Sequence, residues 1–165
     1  MAVNAYLSFF DKADGESAVK GHEKWIEVQG WDWEVEAESS WTKGGGASVG
    51  KPRPGALRWV HRFDLASPKI LGYICTGKAF PKVQIDVLRP GGTGASTLFL
   101  TASIEGAYIT KVSTSMTEEG NVLQAVEMVF KTIKFEYTAQ SPKGGAGAKA
   151  TFNWDIPAGT ASPSN

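Results

Sequence analysis

Three residues of a glycine-rich segment are the first candidates for a chemical function. Gly45, Gly50 and Lys51 have the spacing of a phosphate-binding P-loop. Pro52 stands where such a loop needs a Ser or Thr hydroxyl for magnesium, and the prolines and glycine of residues 52–55 prevent a helix from starting there. The motif therefore predicts a loop and no nucleotide site.

The histidines and the cysteine are too few for a zinc site made of these residues. His22-Glu23 begins a zinc-protease motif, but Ile26 occupies the position of its second histidine. His61 and Cys75 are the only other residues of these two types, so four such ligands cannot be assembled. Spacing leaves a Ser-His-Asp triad open, although no Gly-x-Ser-x-Gly elbow is present. We expect no metal, no cofactor and no catalytic role.

Three glutamates, Glu34, Glu36 and Glu38, recur with a period of two. On a strand this period places all three carboxylates on one face. A carboxylate pair for glycoside hydrolysis is one interpretation. A solvated acidic strip is favoured over it.

The overall charge excludes some partners. The 165 residues carry 17 Lys and Arg against 17 Asp and Glu, so no general attraction to nucleic-acid phosphate is expected. No apolar run is long enough to cross a membrane as a helix. The first residues lack the basic region of a signal peptide. We therefore expect that the usual export routes do not carry the protein and that it stays in the cytoplasm. Cys75 has no partner for a disulfide, and we expect it to be a small buried side chain.

The elements that must position these residues are mostly strands. Alternation of apolar and polar residues predicts strands at residues 6–10, 24–36, 57–63, 82–87, 98–104, 126–137 and 151–156. The alternation slips at Gly30 and again between Phe130 and Ile133, which predicts two β-bulges. The chain is thus predicted to be mainly β, a β-barrel or two-sheet sandwich.

One helix is predicted at about residues 67–76, flanking the barrel. Ser67 and Pro68 have the types of an N-cap and a first helical residue, and Gly77 that of a C-terminal glycine. Between them lies a narrow apolar stripe of Ile70, Leu71 and Ile74.

Three segments lack periodicity. Trp41–Gly55 is predicted to be a long Gly-rich loop and Ser141–Ala150 a shorter one. Residues 1–156 are predicted to form a single domain, and Pro157–Asn165 a disordered C-terminal tail.

The chain contains 6 Trp, and their placement favours an interface. Trp31, Trp33 and Trp59 have the phase of core residues, whereas Trp25 and Trp41 flank turns and loops. Large aromatic residues are enriched in protein–protein interfaces. The sequence therefore predicts a protein that assembles with other proteins. The alternative is a monomeric β-sandwich that binds carbohydrate through exposed Trp.

The order of these motifs resembles the Hcp (haemolysin-coregulated protein) family over about residues 2–156. Gly15-Glu16-Ser17, His22, Ile26-Glu27-Val28 and Trp31-x-Trp33 come first. The glycine-rich segment 44–51 follows, then Ala66-Ser67-Pro68, Gly77-Lys78, Phe80-Pro81 and Phe135-Glu136-Tyr137.

The resemblance implies the inner tube of the bacterial type VI secretion system. In that family a β-barrel with one flanking helix, similar to phage tail-tube proteins, forms hexameric rings that stack into a tube. A contractile sheath surrounds the tube and a VgrG spike caps it. Contraction expels the tube without a signal peptide, and its lumen carries effector proteins. No nucleic acid and no membrane insertion are implied.

The resemblance also suggests where subunits meet. A long loop after the second strand reaches neighbouring subunits, and here it corresponds to Trp41, Lys43, Gly44, Gly45, Gly46, Lys51 and Arg53. We expect its cations to meet Glu34, Glu36 and Glu38 of an adjacent subunit. The Pro52-Arg53-Pro54 run is stiffer than the family pattern. Asp32, between two tryptophans, is expected to point away from the core, into the lumen, where effectors would contact it.

Overall fold

The computed structural model describes residues 3–42, 46–91 and 95–164, which are mainly β with one short helix. In chain order the elements are β1 Asn4–Ser8, β2 Ile26–Asp32, β3 Val35–Thr42, β4 Gly46–Pro54, β5 Leu57–Arg62, α1 Ser67–Thr76, β6 Ala79–Pro90, β7 Ser96–Met116, β8 Val122–Val129, β9 Thr132–Gln140, β10 Ala146–Asp155 and β11 Thr160–Ser164. Within the described residues no helix has the length and apolar character to span a membrane.

Six strands close into a barrel, as the sequence predicts. The main sheet has nine strands in the order β11-β10-β9-β7-β6-β1-β2-β5-β8, and β7 also pairs with β8. This extra pairing joins β7, β6, β1, β2, β5 and β8 into a closed ring, all antiparallel. Closure satisfies the backbone at both edges of the ring. Strands β9, β10 and β11 extend the sheet from β7.

The barrel core follows the predicted alternation. Leu57, Trp59 and His61 of β5 point inward and are fully or almost fully buried, while Arg58 and Arg62, on the opposite face of the strand, are exposed. The other strands contribute further buried residues, among them Leu7, Ile26, Val28, Val83, Ile85, Val87, Ala102, Ile104, Val126 and Met128. Each large apolar side chain buried in this way contributes about 1.5–3 kcal/mol to folding.

Helix α1 has the predicted bounds but a different cap. Gly77 ends it in the left-handed conformation (φ +67°), as expected. Ser67 is not the N-cap, because the Asp64 carboxylate accepts the Ala66 N–H at 3.0 Å and the Ser67 hydroxyl turns into the barrel. Cys75 is exposed, not buried, because it lies on the outer side of a helix whose apolar stripe is narrow.

The two phase slips have different origins. At the first, the register of β2 against β5 shifts between Val28 and Gly30, which confirms the predicted bulge. Beyond it the chain leaves the barrel, so Val35, which continues the alternation of Trp31 and Trp33, is 44% exposed.

At the second slip the predicted long strand is interrupted instead of bulged. Next to the break, β8 and β9 keep one register against β7, since Tyr108 pairs with Val129 and Glu105 with Thr132. The break lies opposite Gly106, whose backbone has a φ of +65°. Because the strand is interrupted here, the side chains that face inward change from even-numbered positions in β8 to odd-numbered positions in β9. This change produces the phase slip in the sequence.

Two segments expected to be irregular are largely strands. Within Trp41–Gly55, residues Gly46–Pro54 form β4, which pairs with β3 as a separate two-stranded sheet. The expected disordered tail is wrong for Thr160–Ser164, which pairs with β10 as β11. The second loop is also shorter than expected, because β10 begins at Ala146. In all three cases backbone pairing with a neighbour imposes extended structure on residues with low strand propensity.

Candidate assembly surfaces

The segment between β1 and β2 covers the outside of the barrel and explains several of the motif residues. His22 is buried, and its Nε2 lies 2.8 Å from Oδ2 of Asp86 on β6. The His22 ring stacks on Tyr6 with centroids 5.1 Å apart. A Cβ at Gly15 would lie 2.5 Å from the carbonyl oxygen of Trp25. Gly15 therefore lets this segment approach the backbone of Trp25 closely, and the contacts of His22 fix the segment against the barrel.

A buried hydrogen-bond chain links the barrel to the start of α1. The Trp59 indole donates to Nδ1 of His61 at 3.0 Å, so the ring proton is on Nε2, which donates to Ser67 Oγ at 3.1 Å. The Ser67 hydroxyl donates in turn to Asp64 at 3.2 Å. Burial lowers the pKa of His61 to about 4 and raises that of Asp64.

These hydrogen bonds bring together a Ser, a His and an Asp, the combination of a catalytic triad, but their role is structural. Ser67 and His61 are both completely buried, so no substrate can approach the hydroxyl. The serine proton is directed at Asp64 and not at the histidine. Among the described residues no group of three or more His, Cys, Asp and Glu could hold a metal ion.

Strands β3 and β4 form an arm that stands apart from the barrel sheet. Glu34, Glu36 and Glu38, which were expected to form an acidic strip, are all exposed, and Glu34 lies at the base of the arm. Lys51 and Arg53 are exposed on β4, but Arg53 forms an ion pair with Glu38 of the same chain. The hairpin thus satisfies internally part of the charge pairing expected between subunits. Lys43, Gly44, Gly45 and the side chain of Trp41 lie outside the described residues, and Gly46 begins β4.

Other described residues of the arm are apolar or small and are also exposed. Val35 is 44% and Val49 71% exposed, and Ala37 pairs across the hairpin with Pro52. β3 and β4 pair only with each other in the described part of the chain. A two-stranded hairpin is marginally stable in water at best.

One tryptophan anchors the base of the arm. Trp33, between β2 and β3, donates from its indole to the carbonyl oxygen of Gly55 at 3.1 Å. Its ring packs on Phe130, Phe135 and Trp154 at centroid distances of 5.7, 5.8 and 6.2 Å. The alternation of apolar residues predicts that Trp33 lies in the core. It does not predict the hydrogen bond to Gly55, since no local pattern links residues 33 and 55.

Asp32 points away from the core, as expected, and belongs to a row of charges. Its carboxylate accepts from Arg58 Nε at 3.1 Å, and Arg58 Nη1 lies 3.4 Å from Glu127 Oε1. These two carboxylates raise the pKa of Arg58. Lys111 of β7 lies opposite Glu127 in the register. No local pattern links Arg58, Glu127 and Lys111 to Asp32, because only strand pairing brings these residues together.

The tryptophans whose side chains the structure describes do not form an exposed platform for sugars. Trp59 and Trp154 are buried, and Trp25, Trp31 and Trp33 are half-buried. The carbohydrate-binding alternative therefore has no support from the indoles that the structure describes.

Comparison with known proteins identifies the family. The family model described as "Type VI secretion system effector, Hcp" matches residues 6–137. The chain belongs to the Hcp family. Two curated relatives come from Pseudomonas aeruginosa. "Protein hcp1" is 25% identical over 158 residues, covering 94% of this chain and 96% of the relative. "Major exported protein" is 25% identical over 164 residues, covering 87% and 94%.

Solved Hcp structures have the same fold. "Structure of a type six secretion system protein" superposes with a TM-score of 0.88 at 26% identity, covering 98% of this chain and all of that one. The crystal structure of Hcp1 from Salmonella typhimurium gives a TM-score of 0.79 at 28% identity, with 98% and 100% covered. The mainly β architecture is thus the Hcp architecture along nearly the whole chain.

Proposed function

We propose that this Hcp chain is a structural subunit that forms hexameric rings and that the rings stack into a tube. The exposed, self-paired arm carries the proposal, because a two-stranded hairpin with Val35 and Val49 in water needs a partner surface. A ring joins unlike patches of identical subunits, so the arm of one subunit would pack on the next.

The charges of the arm suggest how neighbouring subunits would meet. Arg53 pairs with Glu38 within the chain. Lys51, Glu34 and Glu36 form no ion pair within the described chain. We therefore assign the contact between subunits to Lys51 on one side and Glu34 and Glu36 on the other.

The remaining parts of the proposal follow from family membership. The tube would assemble in the cytoplasm inside a contractile sheath, with a VgrG spike at its tip, and leave the cell when the sheath contracts. Effector proteins would travel in the lumen and contact Asp32, which is exposed. The role is non-enzymatic. The relative named "Major exported protein" supports the export step.

The test is the size and shape of the purified protein. Light scattering on a gel-filtration column should give the mass of six subunits, and negative-stain microscopy should show rings with an open centre. Substituting both exposed arm valines, Val35→Ser with Val49→Ser, should shift the mass toward the monomer while circular dichroism stays unchanged. Wild-type protein that is monomeric at all concentrations would refute the ring.

A further inference from the structure

A groove of about 770 Å³ lies on the outer face of the barrel, where the pairing of β2 with β5 ends. The last pair in this register is Val28 with His61. One position further on, Glu27 of β2 and Arg62 of β5 line the groove, and neither forms an ion pair within the described chain. The groove therefore has an unpaired carboxylate on its β2 side and an unpaired guanidinium on its β5 side.

A buried tyrosine of β1 stands beside the same carboxylate. Tyr6 pairs in register with Glu27, so both side chains point to the outer face. Only 5% of Tyr6 is exposed, and the His22 ring stacks on it. Its hydroxyl has no hydrogen-bond partner among the described residues and is not sealed from solvent, so it opens into the groove that Tyr6 lines. Polar groups of buried residues are normally hydrogen-bonded, and this one lacks a partner from the chain.

The tyrosine hydroxyl stays neutral next to Glu27. Burial and, to a smaller extent, the charge of Glu27 raise the pKa of Tyr6. The hydroxyl therefore keeps its proton at neutral pH, and it can donate one hydrogen bond and accept others.

The other two carboxylates that line the groove are already engaged. Glu16 accepts a backbone N–H at 3.1 Å. Asp64 accepts a backbone N–H at 3.0 Å and a serine hydroxyl at 3.2 Å. Among the charged side chains of the groove, Glu27 and Arg62 are thus the two that the chain leaves without a partner.

Exposed apolar side chains complete the lining. Phe63 follows Arg62 in the chain, and Val3 precedes β1, and both are exposed. Binding sites for small molecules commonly combine an apolar surface with a few polar groups that fix the orientation of the ligand. This groove offers that combination, with one group of each charge.

We propose that the groove binds a small zwitterion of the amino-acid class, with its ammonium group at Glu27 and Tyr6 and its carboxylate at Arg62. An ammonium group can donate to the carboxylate and to the hydroxyl oxygen, and a guanidinium matches a carboxylate with two parallel N–H groups. An apolar or aromatic side chain would pack on Phe63 and Val3. A ligand with only one charge would leave either Glu27 or Arg62 unpaired, so the site selects molecules that carry both.

The test uses the intact chain and four probes that share one phenyl ring. Phenylalanine carries both charges, phenethylamine only the ammonium, 3-phenylpropionate only the carboxylate, and 2-phenylethanol neither. Titrations followed by saturation-transfer NMR give the four affinities. Wild type should bind phenylalanine about fivefold or more tightly than any other probe, and high salt should reduce this preference.

Single substitutions separate the two charges of the ligand. Glu27→Gln should lower the affinity for phenylalanine to that for 3-phenylpropionate, and Arg62→Gln should lower it to that for phenethylamine. Tyr6→Phe should weaken phenylalanine binding several-fold. Lys82→Gln and Glu105→Gln are the matched controls, because these exposed residues pair with each other on β6 and β7 and do not line the groove. Both controls should bind as wild type does, and circular dichroism should show that all variants are folded.

Three outcomes overturn the inference. The first is that wild type binds none of the probes, and the second is that it binds phenylalanine no better than the probes with one charge. The third is that the controls lose as much affinity as Glu27→Gln and Arg62→Gln. Light scattering on the same samples distinguishes this inference from the proposed assembly. Rings without selectivity for phenylalanine would refute only the zwitterion site, and selectivity without rings would refute only the assembly.

Discussion

The indole nitrogen of Trp33 donates a hydrogen bond to the backbone carbonyl of Gly55, 3.1 Å away, across the base of the hairpin arm. The Gly55 N–H in turn donates to the carbonyl of Glu34 at 2.8 Å. The arm strands pair with no other described strand. Trp33 therefore ties the base of the arm to the core, because its ring packs on core aromatic residues while its indole holds Gly55.

Replacing this tryptophan should loosen the arm while the barrel stays folded. Trp33→Phe keeps an aromatic ring but removes the N–H, which costs about 1 kcal/mol and should speed amide exchange in residues 46–54 by about fivefold. Hydrogen–deuterium exchange measures the effect. Trp31→Phe is the control, since Trp31 packs on Phe135 as Trp33 does, while its indole forms no hydrogen bond to the described residues of the arm. Equal exchange in both variants would contradict the anchoring role.

Charge reversal on the arm should weaken assembly without unfolding the subunit. Lys51→Glu places a third like charge beside Glu36 and Glu38 on the exposed arm and removes the cation assigned to the neighbouring subunit. The fraction of ring, measured by light scattering, should fall. Lys149→Glu, exposed on β10, is the matched control. A ring fraction equal to wild type in Lys51→Glu would count against the arm contact.

The buried histidine should make the protein less stable in acid. The folded pKa of His61 is about 4, against 6.5 for a free histidine, so the unfolded chain takes up a proton first as the pH falls. The stabilising contribution is complete above pH 6.5 and is lost between pH 6.5 and 4, by about 3 kcal/mol in all. Urea unfolding across this range measures the loss. His61→Gln should be less stable at neutral pH and should lack this part of the slope. The same slope in both proteins would show that His61 is not its source.

Two glycines should respond to alanine in opposite directions. At Gly15 a Cβ would lie 2.5 Å from the carbonyl oxygen of Trp25, so Gly15→Ala should destabilise the protein by at least about 2 kcal/mol. A Cβ at Gly72, inside α1, would meet nothing within 4 Å. Gly72→Ala should therefore stabilise the protein by up to about 1 kcal/mol. Thermal unfolding of both variants tests the pair, and a Gly15→Ala protein as stable as wild type would disprove the close approach.

The parts of the fold that were predictable depend on local patterns. Residues 57–62 alternate cleanly because one face of β5 meets the core and the other meets water. Helix α1 was found because Pro68 and Gly77 have strong preferences at helix ends. The arm was missed because glycine and proline usually indicate loops, and its strands are specified by pairing with each other instead of by burial.

The sequence predicts only one member of the row of charges around Arg58. Asp32 was placed outside the core by its position between Trp31 and Trp33. Its partner Arg58 lies 26 residues away in the chain, and Glu127 lies 69 residues beyond Arg58. No periodicity links such distant positions, so the row could not be inferred.

The sequence by itself determined the barrel strands, the helix and, through the order of its motifs, the Hcp family, because alternation, turn residues and caps act between near neighbours. Only the tertiary structure decided that the glycine-rich segment is a paired arm, that His61 is locked as a neutral ring, and that four charges form a neutral row. Each of these depends on which distant strands lie side by side, and that is set by closing the barrel as a whole.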